Sequence, residues 1–344
     1  MKKRLFFLDF IRTLAVIAVL GCHFTRELEY AGVGFNIKIL PDFIFNVYMG
    51  SFGVGLFFIV SGASLMYNYS EKFDIKSFYI KRFWAIYPMF WIAYVLAFLY
   101  EFLRKGGLDL PHPKSRFLLT LLGMDGYLSF FVEDYYLLGE WFLGCLILLY
   151  LLFPLLRWGV KKHPVITAVL SLAVFAAGIY YAFHSAYRMN PECWVFMRIP
   201  ELLFGMYYVE YLKKVSWPAV LACLAFLIPM QCMDVIMGGA QQILKTVPVC
   251  IAAFLVIAFI SAYLEFRPLC VVFQCVGKYS YAVFLCHHFI LMKLFPRFCG
   301  KVLTSAEVKT MFVLVLVLVA AVSKLLYELN KGAVKWTKGL WRAE

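Results

Sequence analysis

Three ionisable residues, Asp9, Arg12 and His23, stand inside an otherwise apolar run from Leu5 to Phe24, LFFLDFIRTLAVIAVLGCHF. A charged group in such a run is costly unless it faces a protein interior or a wet cavity, so each marks a candidate site. Asp9 and Arg12 are three apart and share a helix face. Arg12 and His23 are eleven apart, about three turns at ~3.6 residues per turn, so all three form one polar stripe. A histidine there suits proton transfer near neutrality, or nucleophilic attack. An arginine suits a phosphate or a carboxylate. The same residues also fit a plainer role, an Asp–Arg pair that locks the helix into a bundle.

Other polar groups punctuate later apolar runs. Lys81 and Arg82 open FYIKRFWAIYPMFW, either as a cytoplasmic anchor or as a clamp for an anionic ligand. Glu140 and Trp141 head EWFLGCLILLYLLFPLL, and Arg198 with Glu201 makes an i, i+3 pair in RIPELLFG. His287 and His288 sit in YAVFLCHHFIL; adjacent residues point in different directions around a helix, so one of them at most is expected in a given site. No H-x-x-x-H or H-E-x-x-H array is present, and no metal is expected.

The elements that position these groups are membrane helices. The chain of 344 residues is 64% hydrophobic and only 15% charged, far from a soluble domain. The net charge of +13 goes with Lys/Arg-rich inner loops, and no basic, aromatic-interleaved soluble segment exists to hold nucleic acid. The ten cysteines show no C-x-x-C pair and read as packing residues. The first apolar run lacks a cleavage site and is expected to stay as a helix.

Apolar runs recur at about 5–24, 48–68, 78–103, 138–157, 164–184, 195–212, 216–234, 245–264, 278–297 and 308–329. The expected fold is an all-α polytopic bundle of about ten spans. Lys2, Lys3 and Arg4, the 69–82 connection, the 157–163 turn, Lys213 with Lys214, Arg267 with Lys278, and Lys331, Lys335, Lys338 and Arg342 fall on one side. That bias puts both termini in the cytoplasm. The connection 104–137, with Pro111, His112 and Pro113 and the stretch Met124-Asp125-Gly126-Tyr127, is long enough to be a lid or binding element. Glycines 53, 55 and 62 of the second run suit close helix packing. One membrane domain over 1–344, with no soluble extracytoplasmic domain, is expected.

Taken in order, six segments resemble the acyltransferase-3 family of integral-membrane O-acyltransferases, which modify bacterial surface polysaccharides and other envelope or exported molecules. LDFIRTLAVIAVLGCHF is similar to the family's opening, and FGVGLFFIVSGASL to its second helix. FYIKRFWAIYP, WFLGCLILLYLLFPLL, RIPELLFGM and GKYSYAVFLCHHFIL follow in family order. The resemblance implies transfer of an acyl group, commonly acetyl, from cytoplasmic acyl-CoA to a hydroxyl of a carbohydrate or lipid-linked acceptor. It implies a multi-pass protein of a bacterial cytoplasmic membrane, among membrane lipids.

By the same resemblance His23 is the catalytic histidine, as base or acyl carrier, with Arg12 its partner and Asp9 beside it. Arg82, with Lys81, would meet the donor's phosphates, and Arg12 its pyrophosphate or thioester end. Ala85 stands where the family has a second arginine, and Gly144-Cys145 where some members have a Glu-Glu pair. Glu140, Trp141, Arg198, Glu201 and His287 are the acceptor-side candidates. A secondary transporter would also carry intramembrane Asp, Arg and His, but it usually shows two related halves, and none are seen here.

Overall fold

The computed structural model describes residues 4–107, 112–233 and 239–340. Lys2, Lys3, Pro111 and Arg342 lie outside the described residues, as does the side chain of Lys338. The described chain is almost entirely helical: α1 (Phe6–Tyr30), α2 (Met49–Tyr69), α3 (Ile75–Lys105), the short α4 (Phe117–Leu121) and α5 (Asp125–Leu128), then α6 (Glu140–Lys162), α7 (Pro164–His184), α8 (Ile199–Tyr207), α9 (Trp217–Cys232), α10 (Gly239–Ser261), α11 (Arg267–Leu294) and α12 (Ser305–Leu340). The all-α polytopic bundle is what the hydropathy demands.

Eight described helices are long and apolar enough to cross a membrane. The other two expected spans take a different form. α9 has only 16 residues. The run at 195–212 is α8, nine residues long, flanked by a 3-10 turn at Val195–Arg198 and a π turn at Tyr208–Leu212. Pro200 explains the interruption at its start, because proline lacks the N–H that a continuing helix needs.

Local signals fix several ends. Asp74 caps α3 by accepting a 2.7 Å hydrogen bond from Ser77 N–H. Gly106, at φ +73°, closes α3 with its N–H on Phe102 O. Pro164 opens α7 at the position where a missing N–H costs nothing.

The chain divides into two compact units. The first comprises Met1–Cys22, Leu40–Phe73 and Cys145–Lys278; the second His23–Ile39, Asp74–Gly144 and Tyr279–Glu344. α1, α6 and α11 therefore each contribute to both.

In the first unit α2 packs on α8 at backbone distance. A Cβ on Gly62 would lie 1.9 Å from Leu202 O, and one on Gly205 1.9 Å from Ile59 O. Neither position tolerates a side chain, which is the close approach expected of small residues between membrane helices. Leu56, Ile59, Val249 and Phe254 are buried around this contact. The hairpin β2 (Phe43–Ile44) with β3 (Val47–Tyr48) leads into α2.

In the second unit α3 packs along α12 and α11. Tyr281 donates a 3.1 Å hydrogen bond to Ile86 O, and Phe24 sits edge-on to Phe295 and Phe312. β1 (Gly34–Phe35) pairs in parallel with β4 (Val302–Leu303). The part of the connection at 112–139 is tied to α3: Tyr87 and Trp91 of α3 donate to Leu122 O and Leu121 O, each at 3.1 Å, and Tyr94 donates to Tyr135 O at 2.7 Å.

Candidate active site

Within the second unit, three helices bring three imidazoles and two carboxylates together. His23 and Glu27 come from α1, Glu140 from the first residue of α6, and His287 and His288 from α11. Glu140 Oε1 is the hub. It lies 3.3 Å from His288 Nδ1, 3.9 Å from His23 Nδ1 and 3.9 Å from His287 Nε2. His288 Nε2 in turn lies 2.9 Å from Glu27 Oε1. The His23 ring centre is 5.1 Å from that of His287 and 4.9 Å from that of His288.

The expectation that one of the two adjacent histidines at most enters the site is corrected: both do. Their side chains diverge around α11, and Glu140 lies where the two rings bracket it. His287 Nδ1 lies 2.9 Å from the carbonyls of Val283 and Phe284, which can only accept, so Nδ1 carries the proton there and Nε2 is turned toward Glu140. Neither His287 Nε2 nor Glu140 Oε1 makes a hydrogen bond of good geometry, although both are shut away from solvent. Two acceptors facing each other at 3.9 Å suit a proton, a substrate hydroxyl or a cation shared between them. One ligand atom each from His23, Glu140 and His287 lies within 4.8 Å of the others, so the chain's fold assembles metal-capable donors that no local sequence array announces.

Glu140 is held in a strained backbone. Its φ is +39°, directly after Gly139 at φ +98°. A non-glycine residue there needs surrounding structure to impose it. α5 supplies part of that structure. A Cβ on Gly126 would lie 2.6 Å from the Glu140 carbonyl carbon, so α5 rests on the Glu140 backbone itself. One turn on, a Cβ on Gly144 would lie 2.4 Å from Tyr127 Cβ. Gly144 thus makes room for Tyr127. Tyr136, just before α6, places its hydroxyl at the Glu140 backbone N–H, and burial raises its pKa so that it stays a neutral phenol.

The remaining candidates fall elsewhere. Asp9 and Arg12 belong to the first unit: Asp9, 2% exposed, is gripped by Arg4 Nη2 at 2.9 Å and Arg12 Nη1 at 3.0 Å, and Arg12 Nη2 donates to Ser64 Oγ at 3.2 Å. Arg198 and Glu201 also lie in the first unit, both at 0% exposure. Arg198 Nη1 holds Glu201 Oε1 at 3.0 Å, and its Nε donates to Glu192 O at 2.6 Å. Glu192 accepts from Ser51 at 2.9 Å and Thr246 at 3.0 Å. This is a closed, buried network rather than a surface aimed at a ligand. Arg82 and Lys81 lie early in α3; Arg82 has its guanidinium carbon 6.0 Å from the centre of the Phe78 ring, and Lys81 is exposed. Trp141 is half-buried beside Phe142.

One member of the cluster, Glu27, went unremarked in the sequence, and His288 was noted only as the alternative to His287. Glu27 carried a signal, since it stands four residues after His23 on the same helix face. His288 carried none beyond its neighbour.

The chain is similar to the acyltransferase MdmB of Streptomyces mycarofaciens, with 28% identity over 160 residues. That alignment covers 45% of this chain and 40% of the length of that protein. No solved structure matches. Residues 5–327, nearly the whole chain, match the acyltransferase domain of the acyltransferase-3 type, and the protein belongs to that family of multi-pass membrane acyltransferases.

Proposed function

We propose that the protein moves an acyl group, acetyl by family habit, from cytoplasmic acyl-CoA to a hydroxyl of an envelope carbohydrate or another exported or lipid-linked acceptor. The observation that carries this reading is His23 set 3.9 Å from Glu140, with His287 and His288 on the same carboxylate. A base beside a carboxylate that steadies its charged form is the arrangement acyl transfer to a hydroxyl needs. The 3.9 Å gap exceeds a hydrogen bond, and catalytic contacts of this kind tighten when substrate enters.

In direct transfer, His23 takes the hydroxyl proton as the acceptor oxygen attacks the thioester carbonyl. The new C–O bond forms, the C–S bond breaks, and the thiolate leaves and takes up a proton. In the stepwise alternative, a ring nitrogen of His23 carries the acyl group first. Glu140 stabilises the imidazolium in either route, and Glu27 holds His288 against Glu140. Arg82 and Lys81 bind the donor's phosphates from the cytoplasmic end of α3.

The test is acetyl-CoA turnover by the purified protein in nanodiscs, with and without candidate hydroxyl acceptors. Acceptor-dependent release of CoA that vanishes in His23→Ala supports the reading. Wild-type protein that neither hydrolyses acetyl-CoA nor acylates any acceptor overturns it.

A further inference from the structure

Two cavities of the second unit share a lysine. One, of 320 Å³, is apolar and is lined by Leu96, Ala97, Phe289, Ile290, Leu318 and Leu325 among others. The other, of 310 Å³, is polar and aromatic, with Tyr94, Glu101, Arg104, His112, Asp134 and Tyr136 in its wall. Lys293, in the last turn of α11, lines both.

Each cavity adjoins the histidine cluster along the chain. Leu138 and Cys286 of the apolar cavity stand next to Gly139 and His287, and Tyr136 of the polar cavity touches the Glu140 backbone. Leu96, Leu318 and Leu325 are exposed on helices long and apolar enough to cross a membrane, so the exposed edge of the apolar cavity is itself apolar and suits a hydrocarbon chain.

The polar wall has its own demand. Asp134 Oδ1 accepts from Tyr136 N–H at 3.1 Å, but Oδ2 is buried with no hydrogen-bond partner, an acceptor suited to a ligand hydroxyl. At the junction Lys293 Nζ lies 2.6 Å from Glu101 Oε1, and Arg104 lies 3.0 Å from Glu101 Oε2. Lys293, Arg104 and Lys105 against the carboxylates of Glu101 and Asp134 leave positive charge over, and Arg297 at the rim of the apolar cavity adds to it. That surplus suits an anionic group where the two cavities join.

We propose that the two cavities hold the acyl acceptor as one membrane-embedded amphiphile. Its hydrocarbon chain lies in the apolar cavity, its phosphate linker lies at Lys293, and its hydroxylated head occupies the polar cavity beside Tyr136 and Glu140. This rests on the acyltransferase reading, and it narrows the acceptor to the lipid-linked class.

The experiment uses the full chain in nanodiscs with two probes: a polyprenyl-phosphate-linked hexose, and the same hexose phosphate without its chain. Binding is read by native mass spectrometry, which does not depend on turnover, and acetylation is read separately. The lipid-linked probe should bind and be acetylated in preference to the chainless one. Ile290→Trp, which fills the apolar cavity, should raise the KM for the lipid-linked probe by about tenfold, the effect of ~1.4 kcal/mol of overpacking, and leave acceptor-free acetyl-CoA hydrolysis unchanged. Leu96→Trp, on the exposed rim, repeats the test if Ile290→Trp fails to fold. Lys293→Met should weaken binding of the lipid-linked probe.

Equal binding of the two probes overturns the proposal. So does an unchanged KM in both tryptophan variants, or retention of ordinary phospholipid that the lipid-linked probe does not displace. Binding of the lipid-linked probe without any acetyl-CoA turnover would instead count against the acyltransferase reading alone.

Discussion

Gly126 lies against the backbone of Glu140: a Cβ added at Gly126 would sit 2.6 Å from the Glu140 carbonyl carbon and 2.7 Å from its oxygen. Glu140 adopts φ +39°, which an L-residue keeps only where its surroundings impose it. Backbone cannot retreat as a flexible side-chain tip can. Gly126→Ala therefore displaces the carboxylate that three imidazoles share. The expected outcome is a loss of kcat of about 10²-fold, the cost of a misplaced catalytic group. The KM for acetyl-CoA should stay nearly unchanged, since the donor phosphates are assigned to α3. Wild-type kcat in Gly126→Ala would show that α5 does not position Glu140.

His23 is expected to be the residue whose loss costs most. His23→Ala removes the base or acyl carrier, and general acid–base help alone is worth roughly 10²–10⁴-fold. The variant should still fold, because alanine leaves no polar group unpaired in its place. His287→Ala and His288→Ala remove neighbours of Glu140 rather than the reacting group, and smaller losses are expected. Steady-state rates on monodisperse protein, with all three variants side by side, decide the order. A His287→Ala variant worse than His23→Ala would move the base to α11.

Much of this site was legible in the sequence, and what was missed shows why. His23 stood out because a titratable residue in an apolar helix needs a reason. Glu140 was visible as an acceptor-side candidate but not as the partner of His23, since nothing local reveals which helices converge on it. His287 and His288 looked mutually exclusive because helical geometry was applied to one helix at a time. Two rings that diverge around α11 can still bracket a carboxylate delivered by α6. The expected span at 195–212 was seen as uniform because hydropathy does not register Pro200 breaking the backbone pattern. Arg198 and Glu201 had the right spacing for a pair, and spacing alone could not say that the pair closes on Glu192 in a buried network.

Arg82 carries the donor prediction. It lies on the second turn of α3, and Ala85, one turn on, adds no second cation. With a single arginine at this point, Arg82→Ala should raise the KM for acetyl-CoA while kcat at saturating donor changes little, the pattern of lost uniform binding. Exposed Lys81 is close enough in sequence to compensate, so Lys81→Ala/Arg82→Ala should show a larger effect than Arg82→Ala alone. An unchanged donor KM in the double variant would remove α3 from the donor site.

The distribution of Lys and Arg predicts topology. Single cysteines at Lys72 and Ser115, placed in the cysteine-free background, should be labelled from the cytoplasmic and the outer face respectively, with both termini inside. Labelling of Ser115→Cys only from the cytoplasm would reverse the orientation and take the polar cavity near His112 away from exported acceptors.

Asp125 gives the protein a built-in pH response. It is 1% exposed at the head of α5, outside the membrane-spanning helices. Burial pushes its pKa from 3.8 up to about 7, against partial relief from the Gly126 N–H. The folded state therefore holds this proton at pH values where the unfolded chain has released it. Stability contributed by the neutral acid is full below the unfolded pKa and is lost as pH rises toward the folded one. Melting temperature in detergent should fall between about pH 4 and about pH 7. Asp125→Asn, which keeps the shape and never ionises, should flatten that fall and melt higher than wild type at the alkaline end. Because α5 rests on Glu140, activity should respond around the folded value: the wild type loses kcat as Asp125 ionises near pH 7, and the asparagine variant retains it. A melting curve equally steep in wild type and Asp125→Asn would place the pH response in another group.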